Sequence, residues 1–234
     1  RSGPTAAVAI TDATSNQDLV VLAGAAKNLK LVTGGSGLAL GLGKNFGLQA
    51  GRAAQAIAPA GRRAILAGSC SRMTLKQLEV AKRIYPHFRV APEELAAHFD
   101  VTLDRVLDWA KQHRSAPDPL LVYTSGTPDE IASNQKVLGV DRAGDLCERF
   151  LAAVAEHFVD NGILQLIVAG GETSGAVVTK LGLDLLRIGP EIDPGVPWTL
   201  ACGSAREIAL ALKSGNFGSE ELFLDAWQLL GPPQ

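Results

Sequence analysis

Clustered basic residues and long apolar runs are both missing from this sequence, and each absence excludes a class of protein. The chain has 22 Lys and Arg against 24 Asp and Glu, with no basic run longer than Arg62-Arg63, whereas nucleic-acid surfaces show clustered Lys and Arg. No stretch approaches the ~20 apolar residues that span a bilayer, and no signal peptide opens the chain. We therefore expect a cytoplasmic protein with neither a nucleic-acid nor a membrane partner. The start without Met suggests a trimmed fragment.

Cysteine and histidine are too few and too scattered for a metal or disulfide framework. Cys70, Cys147 and Cys202 are odd in number and far apart, and the four histidines show no i, i+4 pairing. This pattern argues against both structural disulfides and a zinc site. We predict no structural metal, and we predict Cys70 to be a buried, unreactive thiol.

Aromatic residues make up only 5% of the chain, while 47% of its residues are hydrophobic. That balance suits helices on a buried sheet better than an all-β sandwich. Apolar runs alternate with helical patterns, and the links between them are short. The predicted fold class is therefore α/β: three layers, with a mainly parallel (mixed) sheet and helices on both faces, plus a small α/β remnant of a preceding domain.

The pattern predicts two parts. Residues 1–58 form the remnant, with strands at 5–13 and 29–37 and a helix capped by Ser15 or Asn16; two strands cannot enclose a core. Residues 59–234 form the main domain, with a long helix at 141–162 and a closing helix capped by Ser219. The run at 206–213 fits a strand or a helix, and the short turn before it favours a strand.

Loops rich in glycine and hydroxyl side chains follow four predicted strands: "TGGSG", "AGSCS", "YTSG" and "AGGETSG". In parallel sheets, ligands lie at the carboxyl ends of strands. The stretch "GGETSG" places Gly170 and Gly175 as a Walker A loop does, but Ala176-Val177 stand where Lys and Ser or Thr are needed. A helix beginning near Thr173 could still bind phosphate through free N–H groups. The alternative is an ordinary turn capped by Thr173 or Ser174.

Two further loops offer weaker signals. The stretch "GSCS" gives Ser69 and Ser71 as hydroxyl donors, although a helix cap, taken alone, explains it better. The stretch "LKSGNFG" gives Lys213 as a cation and Gly215 as a point of close backbone approach, and its alternative is a tight turn. Spacing indicates no Ser-His-Asp or Cys-His set and no acid/base pair of carboxylates, so the catalytic residues stay unassigned.

Three stretches, "ILAGSCSRMTLKQLE", "LIVAGGETSGAVVTKLG" and "PGVPWTLACG…LALKSGNFG", resemble the nucleotide-binding half of the four-carbon acid sugar kinases. Upstream, "ITDATSNQDLVVLAGA…LVTGGSGLA" resembles the end of that family's sugar-binding half. The resemblance implies an ATP- and Mg²⁺-dependent kinase acting on the terminal hydroxyl of 3-oxo-tetronates, threonate or erythronate. Carried over residue by residue, the family's nucleotide contacts fall on Ser69, Gly170, Gly171, Glu172, Thr173 and Gly215.

The same resemblance suggests roles. The backbone of residues 170–173 would cradle phosphates, Glu172 would orient Mg²⁺ through water, and Lys213 would neutralise phosphate charge or serve only as a turn residue. One departure matters, because the family's Asp-Asp-x-Thr-Gly loop is missing from this sequence. We therefore expect the chain to bind nucleotide without being a competent kinase by itself.

Two alternatives stay open. The chain could be a non-catalytic nucleotide-binding or interaction module, or a NAD-dependent oxidoreductase, although the missing G-x-G-x-x-G counts against the latter. The sequence leaves open which acid sugar is used and whether the protein is a homodimer.

Overall fold

Backbone contacts divide the chain into two compact units, Arg1–Arg52 and Ala53–Gln234. The computed structural model describes residues 9–49, 59–202 and 207–230. The predicted boundary at residue 58 falls outside the described residues.

The first unit is a pair of short helices. Helix α1 (Asn16–Ala25) begins with a capping box, in which the Ser15 hydroxyl accepts from the Asp18 N–H at 3.2 Å and the Asp18 carboxylate accepts from the Ser15 N–H at 2.9 Å. Helix α2 (Ala39–Asn45) follows two single turns of 3₁₀ helix. A Cβ at Gly41 would lie 2.8 Å from the Val20 Cα, so glycine at this position allows α2 to pack closely on α1.

The two strands predicted in this unit are wrong within the described residues. Residues 9–13 and 29–35 pair with no strand, and the side chains of Ile10 and Leu31 are 97% and 84% exposed. A strand requires a neighbour for its backbone N–H and C=O groups. Apolar patterning predicted the strand but could not show whether a neighbour exists.

The second unit is built on one seven-stranded sheet. Its strands are β1 (Arg62–Ala67), β2 (His87–Arg89), β3 (Leu120–Tyr123), β4 (Ile163–Ala169), β5 (Leu185–Asp193), β6 (Val196–Cys202) and β7 (Ala209–Lys213). Their order is β2-β3-β1-β4-β7-β6-β5, parallel from β2 to β7 and antiparallel for the last two strands. The predicted α/β class with a mainly parallel mixed sheet is confirmed, and so is the strand predicted at 206–213.

Helices cover both faces of this sheet. They are α3 (Arg72–Ala81), α4 (Pro92–Gln112), α5 (Pro128–Leu138), α6 (Val140–Asp160), α7 (Gly171–Lys180) and α8 (Leu222–Asp225). Alternate residues of β1 point to opposite faces: Leu66 packs with α4, α6 and α7, and Ile65 packs with α3 and α8. None of the described helices is both long and apolar enough to cross a membrane.

Three elements differ from the sequence predictions. Strand β2, whose three residues are too few to show a period, was not predicted, and neither was helix α5. The closing helix does not begin at Ser219: α8 follows Glu221, and a 3₁₀ segment at Ala226–Leu230 continues it. The indole N–H of Trp198 donates to the Ala226 carbonyl oxygen at 2.8 Å, which fixes this irregular end against the sheet.

The connections out of β1 and β4 run in opposite directions along the sheet. The chain passes from β1 through α3 toward β2, and from β4 through α7 toward the β5–β7 side. In open α/β sheets, ligands bind in the crevice at such a switch point, outside the carboxyl ends of the strands. Ala67, Ala169 and Lys213 are paired across these ends, so the loops that follow them meet at one edge.

Candidate functional site

A cavity of about 610 Å³ opens at this edge of the sheet. Its walls come from the loops after β1, β3 and β4 and from the first half of α6. Five of the six residues predicted to contact nucleotide line it: Ser69, Gly170, Gly171, Glu172 and Thr173. The structure therefore brings together residues that lie about a hundred positions apart in the sequence.

The N-terminus of α7 forms one wall of the cavity. The helix begins at Gly171, earlier than predicted, and its N-cap Gly170 supplies no side chain to accept a hydrogen bond from the first turn. In the described part of the chain, the N–H groups of residues 171–173 have no acceptor. Free N–H groups and the helix dipole make such an end attractive to anions.

Gly170 is the position where this turn requires glycine. Its φ is +131°, and a Cβ there would lie 2.8 Å from the Thr173 Oγ1 and 3.2 Å from the Ser69 nitrogen. Its N–H donates to the Lys213 carbonyl oxygen at 2.8 Å. Gly171 differs, since a Cβ there would meet no atom within 4 Å and a side chain would project into open space.

Ser69 lies close to both Gly170 and Gly215. The Ser69 N–H donates to the Ala169 carbonyl oxygen at 3.1 Å, and the Ser69 Oγ accepts from the Ser71 N–H at 3.2 Å. Gly215 does not line the cavity, but a Cβ there would lie 2.7 Å from the Ser69 Oγ. All six predicted residues therefore lie at one sheet edge, with Gly215 beside Ser69.

Ser71 does not share the position of Ser69. It is the N-cap of α3, and its Oγ accepts from the Thr74 N–H at 3.2 Å. The same hydroxyl donates to the Gly215 carbonyl oxygen at 2.5 Å, as the Thr74 hydroxyl does at 2.9 Å. The helix-cap interpretation of "GSCS" thus holds for Ser71, while Ser69 lines the cavity.

Lys213 lies inside the protein and is not part of the cavity wall, so it is not a solvated turn residue, and its role in neutralising phosphate charge stays a prediction. Its side chain is 0% exposed and does not line the cavity. The Nζ donates to the carbonyl oxygens of Gly215 at 2.7 Å, Ser214 at 3.1 Å and Phe217 at 3.3 Å, and to the Thr74 Oγ1 at 3.0 Å. Burial lowers the pKa of Lys213 to about 8.

Known proteins match this chain over most of its length. Residues 64–223 match the family described as nucleotide-binding C-terminal domain. The chain is 46% identical over 228 residues to a 3-oxo-tetronate kinase of Burkholderia multivorans, covering 95% of this chain and 52% of the relative. This chain belongs to the four-carbon acid sugar kinase family. A 3-oxo-tetronate kinase of Pseudomonas savastanoi is 45% identical over 229 residues, with the same two coverages, 95% and 52%.

A solved structure from Haemophilus influenzae shows the same fold. It matches with a TM-score of 0.74 and 37% identity, covering 94% of this chain and 53% of that protein. The chain thus spans about half the length of the kinase relatives that it matches.

The cavity of this family member is acidic on the side of α6. Asp141, Asp145 and Glu148 line it opposite Glu172, and the lining cation Arg89 pairs with Glu130 at 2.6 Å. Burial raises the pKa of Glu148, and the nearby Glu172 and Asp145 raise it further.

Sequence reasoning missed the three acids of α6, although their spacing contained a signal. Positions 141, 145 and 148 are four and three residues apart, which places them on one face of a helix. In the described part of the chain, no group of three or more His, Cys, Asp or Glu side chains is arranged to hold a metal ion.

Two cysteines also line the cavity. Cys70 is half-buried on the wall, so the prediction of a buried thiol is wrong, and its Sγ lies 3.8 Å from the Gly68 carbonyl oxygen. Burial raises the pKa of Cys147 to about 11, which leaves that thiol protonated and poorly nucleophilic at neutral pH.

Proposed function

We propose that this chain supplies the ATP-binding part of a kinase that phosphorylates the terminal hydroxyl of a four-carbon acid sugar. The observation that carries the proposal is the open N-terminus of α7 on the cavity wall, in a member of this kinase family. The relatives named 3-oxo-tetronate kinase make 3-oxo-tetronate the first substrate to test, followed by threonate and erythronate.

The first turn of α7 would bind the phosphates of ATP. Glycine at 170 and 171 lets phosphate oxygens approach the N–H groups of Gly171, Glu172 and Thr173. The hydroxyl of Thr173, whose side chain is 4% exposed on the cavity wall, has no partner in the described protein. Hydrogen bonds to charged groups contribute about 1.5–3 kcal/mol each, so three N–H donors are enough to select an anion.

The acids of the cavity fit Mg²⁺ bound together with ATP. An acidic wall would repel the polyphosphate unless a cation lay between them. Mg²⁺ is usually bound by one or two carboxylates together with substrate phosphates, and Glu172 and Glu148 supply such a pair. Bound Mg²⁺ neutralises the charge that develops during phosphoryl transfer. We infer that Glu172 orients it through water and that Glu148 faces it from α6.

In the proposed enzyme, one domain binds the acid sugar and another binds the nucleotide, so this chain alone would not be a complete kinase. We propose that residues 1–58 are the end of the acid-sugar-binding domain and that residues 59–234 are the nucleotide-binding domain. A kinase must align the acceptor hydroxyl with the γ-phosphate, and the acceptor loop of the family is missing here. We therefore infer nucleotide binding without phosphoryl transfer, and we name no catalytic base. A cytoplasmic location and a homodimer remain part of the proposal.

Calorimetric titration tests the nucleotide site. We expect ADP with Mg²⁺ to bind and NADH not to bind. Binding of NADH instead would favour the oxidoreductase alternative, and failure of the folded chain to bind either would contradict the site.

A coupled assay with ATP and each tetronate tests the reaction. We expect this chain to be inactive alone and active when it is fused to the preceding half of a relative such as the Burkholderia multivorans enzyme. Transfer by the chain alone would show that it is complete, and inactivity of a folded, nucleotide-binding fusion would favour the non-catalytic module.

A further inference from the structure

The turn that follows β7 has its carbonyl groups facing inward. The Phe217 N–H donates to the Ser214 carbonyl oxygen at 3.1 Å and closes the turn. The carbonyl oxygens of residues 214, 215 and 217 all accept from the Lys213 Nζ. The N–H of a trans peptide points opposite to its C=O, and no cis bond occurs in the described chain. The N–H groups of residues 215, 216 and 218 therefore point away from the ammonium.

Those outward N–H groups are free. Within the described residues, the N–H groups of Gly215, Asn216 and Gly218 donate to no acceptor. Successive free N–H groups in a turn form a concave anion site of the kind that binds phosphate. The side of the turn opposite Lys213 can therefore receive a negatively charged ligand.

Lys213 itself is an unusual group to find at this place. A fully buried ammonium is expensive unless it is paired, and among the described residues it contacts no carboxylate. Its four acceptors are three carbonyl oxygens and the hydroxyl of Thr74. A charge held in this way polarises the peptide groups around it and makes the outward N–H groups stronger donors.

The turn is joined to the proposed phosphate site by two contacts. The Lys213 carbonyl oxygen accepts from the Gly170 N–H at 2.8 Å, directly before the first turn of α7. Gly215 lies against Ser69, where a Cβ would come within 2.7 Å of the Ser69 Oγ, and Ser69 lines the cavity.

We propose that Lys213 is a positioning residue for nucleotide phosphate. Its ammonium holds the turn at 214–217 from behind, so that the N–H groups of Gly215 and Asn216 face a phosphate oxygen at the Ser69 end of the cavity. Lys213 thus supports phosphate binding without touching the phosphate, unlike the lysine of a Walker A loop. This inference rests on the proposed nucleotide site and assigns a role in it to the buried lysine behind Gly215, which is one of the expected nucleotide contacts.

The first test compares two lysine variants by calorimetry with ADP and with adenosine. Lys213→Met removes the buried charge, and Lys180→Met removes a half-exposed charge that pairs with Glu156 outside the cavity wall. We expect Lys213→Met to weaken ADP binding at least tenfold while adenosine binding and the Lys180→Met variant stay near wild type. Equal loss of ADP and adenosine binding would show a merely structural role, and unchanged ADP binding would overturn the proposal.

The second test needs no variant and remains decisive if Lys213→Met fails to fold. Backbone amide signals of the ¹⁵N-labelled wild-type chain are followed by NMR during titration with ADP and Mg²⁺. We expect the amides of Gly215 and Asn216 to shift together with those of residues 171–173. Shifts confined to residues 171–173 would overturn this inference and leave the nucleotide site standing. No shift at either place would overturn both.

Discussion

Two of the helices that begin at the carboxyl edge of the sheet, α3 and α7, differ in whether a side chain caps their first-turn N–H groups. Helix α3 is capped by the Ser71 hydroxyl, and the Gly215 carbonyl group lies against its first turn through Ser71 and Thr74. Helix α7 follows Gly170, which offers no side chain, and opens onto the cavity. A helix N-terminus carries free N–H groups and partial positive charge. The Ser71 hydroxyl caps one of these N–H groups in α3, whereas no side chain caps any of them in α7.

The loops that precede α3 and α7 look alike in sequence but differ in structure. Both "GSCS" and "GGETSG" combine glycine with hydroxyl residues after a buried strand. The position of the serine decides the outcome, because Ser71 stands at the N-cap of α3 whereas Ser174 lies inside α7. The two loops thus differ at the N-cap, which has a side-chain acceptor in α3 and none in α7.

A side chain that fills the space at the N-terminus of α7 should have the largest effect on ADP binding. Gly171→Val places a side chain where the structure has open space, so the protein should fold while the phosphate position is filled. We expect calorimetry to show ADP binding weakened about 100-fold, or about 2.7 kcal/mol.

Gly175→Ala is the matched control for that variant. This residue lies in the same helix, a Cβ there would meet no atom within 4 Å, and it does not line the cavity. ADP binding should be unchanged, and Ala should stabilise the helix by about 0.5–1 kcal/mol. If Gly171→Val bound ADP with wild-type affinity, the phosphate site would not lie at the N-terminus of α7.

A side chain at Gly170 should damage the fold of the turn itself. Gly170→Ala forces a Cβ into a backbone with φ +131° and toward the Thr173 Oγ1. Such strain costs about 1–3 kcal/mol, and we expect urea unfolding to show a loss of about 2 kcal/mol. A variant as stable as wild type would show that the turn relaxes without cost.

Removing the cap of α3 should lower stability more than it lowers nucleotide binding. Ser71→Ala deletes the acceptor for the Thr74 N–H, and loss of such a cap costs about 1 kcal/mol. Urea unfolding measures that loss, and calorimetry with ADP should show a smaller change than Gly171→Val does. If Ser71→Ala abolished ADP binding without loss of stability, α3 and not α7 would be the ligand-binding end.

Removing the carboxylate of Glu148, on the α6 side of the cavity, should have the smallest effect. This effect is on the free energy of unfolding, and it depends on pH. The pKa of Glu148 is raised in the folded chain, so the folded state holds this proton more tightly than the unfolded state and loses stability as pH rises between the two pKa values. Glu148→Gln should therefore be more stable than wild type at pH 7 without Mg²⁺, and no more stable below about pH 4, near the ordinary carboxyl pKa. Urea unfolding at both pH values measures this.

The same variant should bind ADP with Mg²⁺ more weakly than wild type. A Glu148→Gln chain that lost stability at pH 7 would show that the carboxylate is paired within the protein. It would then not be available to a cation.

The sequence was informative where a pattern is local. Strands β1, β4 and β7 show as apolar runs, the Ser15 cap of α1 follows from its position, and the glycine loops follow the strands that place them. These signals depend on neighbouring residues alone.

What the sequence could not reveal depends on contacts between distant segments. Strand β2 has three residues and is a strand only because it pairs with β3. The apolar runs of the first unit look like strands but find no neighbour among the described residues. Lys213 looked like a cation for phosphate or a turn residue. Its burial involves Thr74, far away in sequence, which lies against the turn that follows β7.

Amide chemical shifts of the first turns of α7 and α3, followed in one NMR titration with ADP and Mg²⁺, show which of the two helix ends binds the phosphates. We expect large shifts for Gly171, Glu172 and Thr173 and small ones for Arg72, Met73 and Thr74. Equal shifts in both turns, or larger shifts in α3, would contradict the claim that the uncapped helix binds the phosphates.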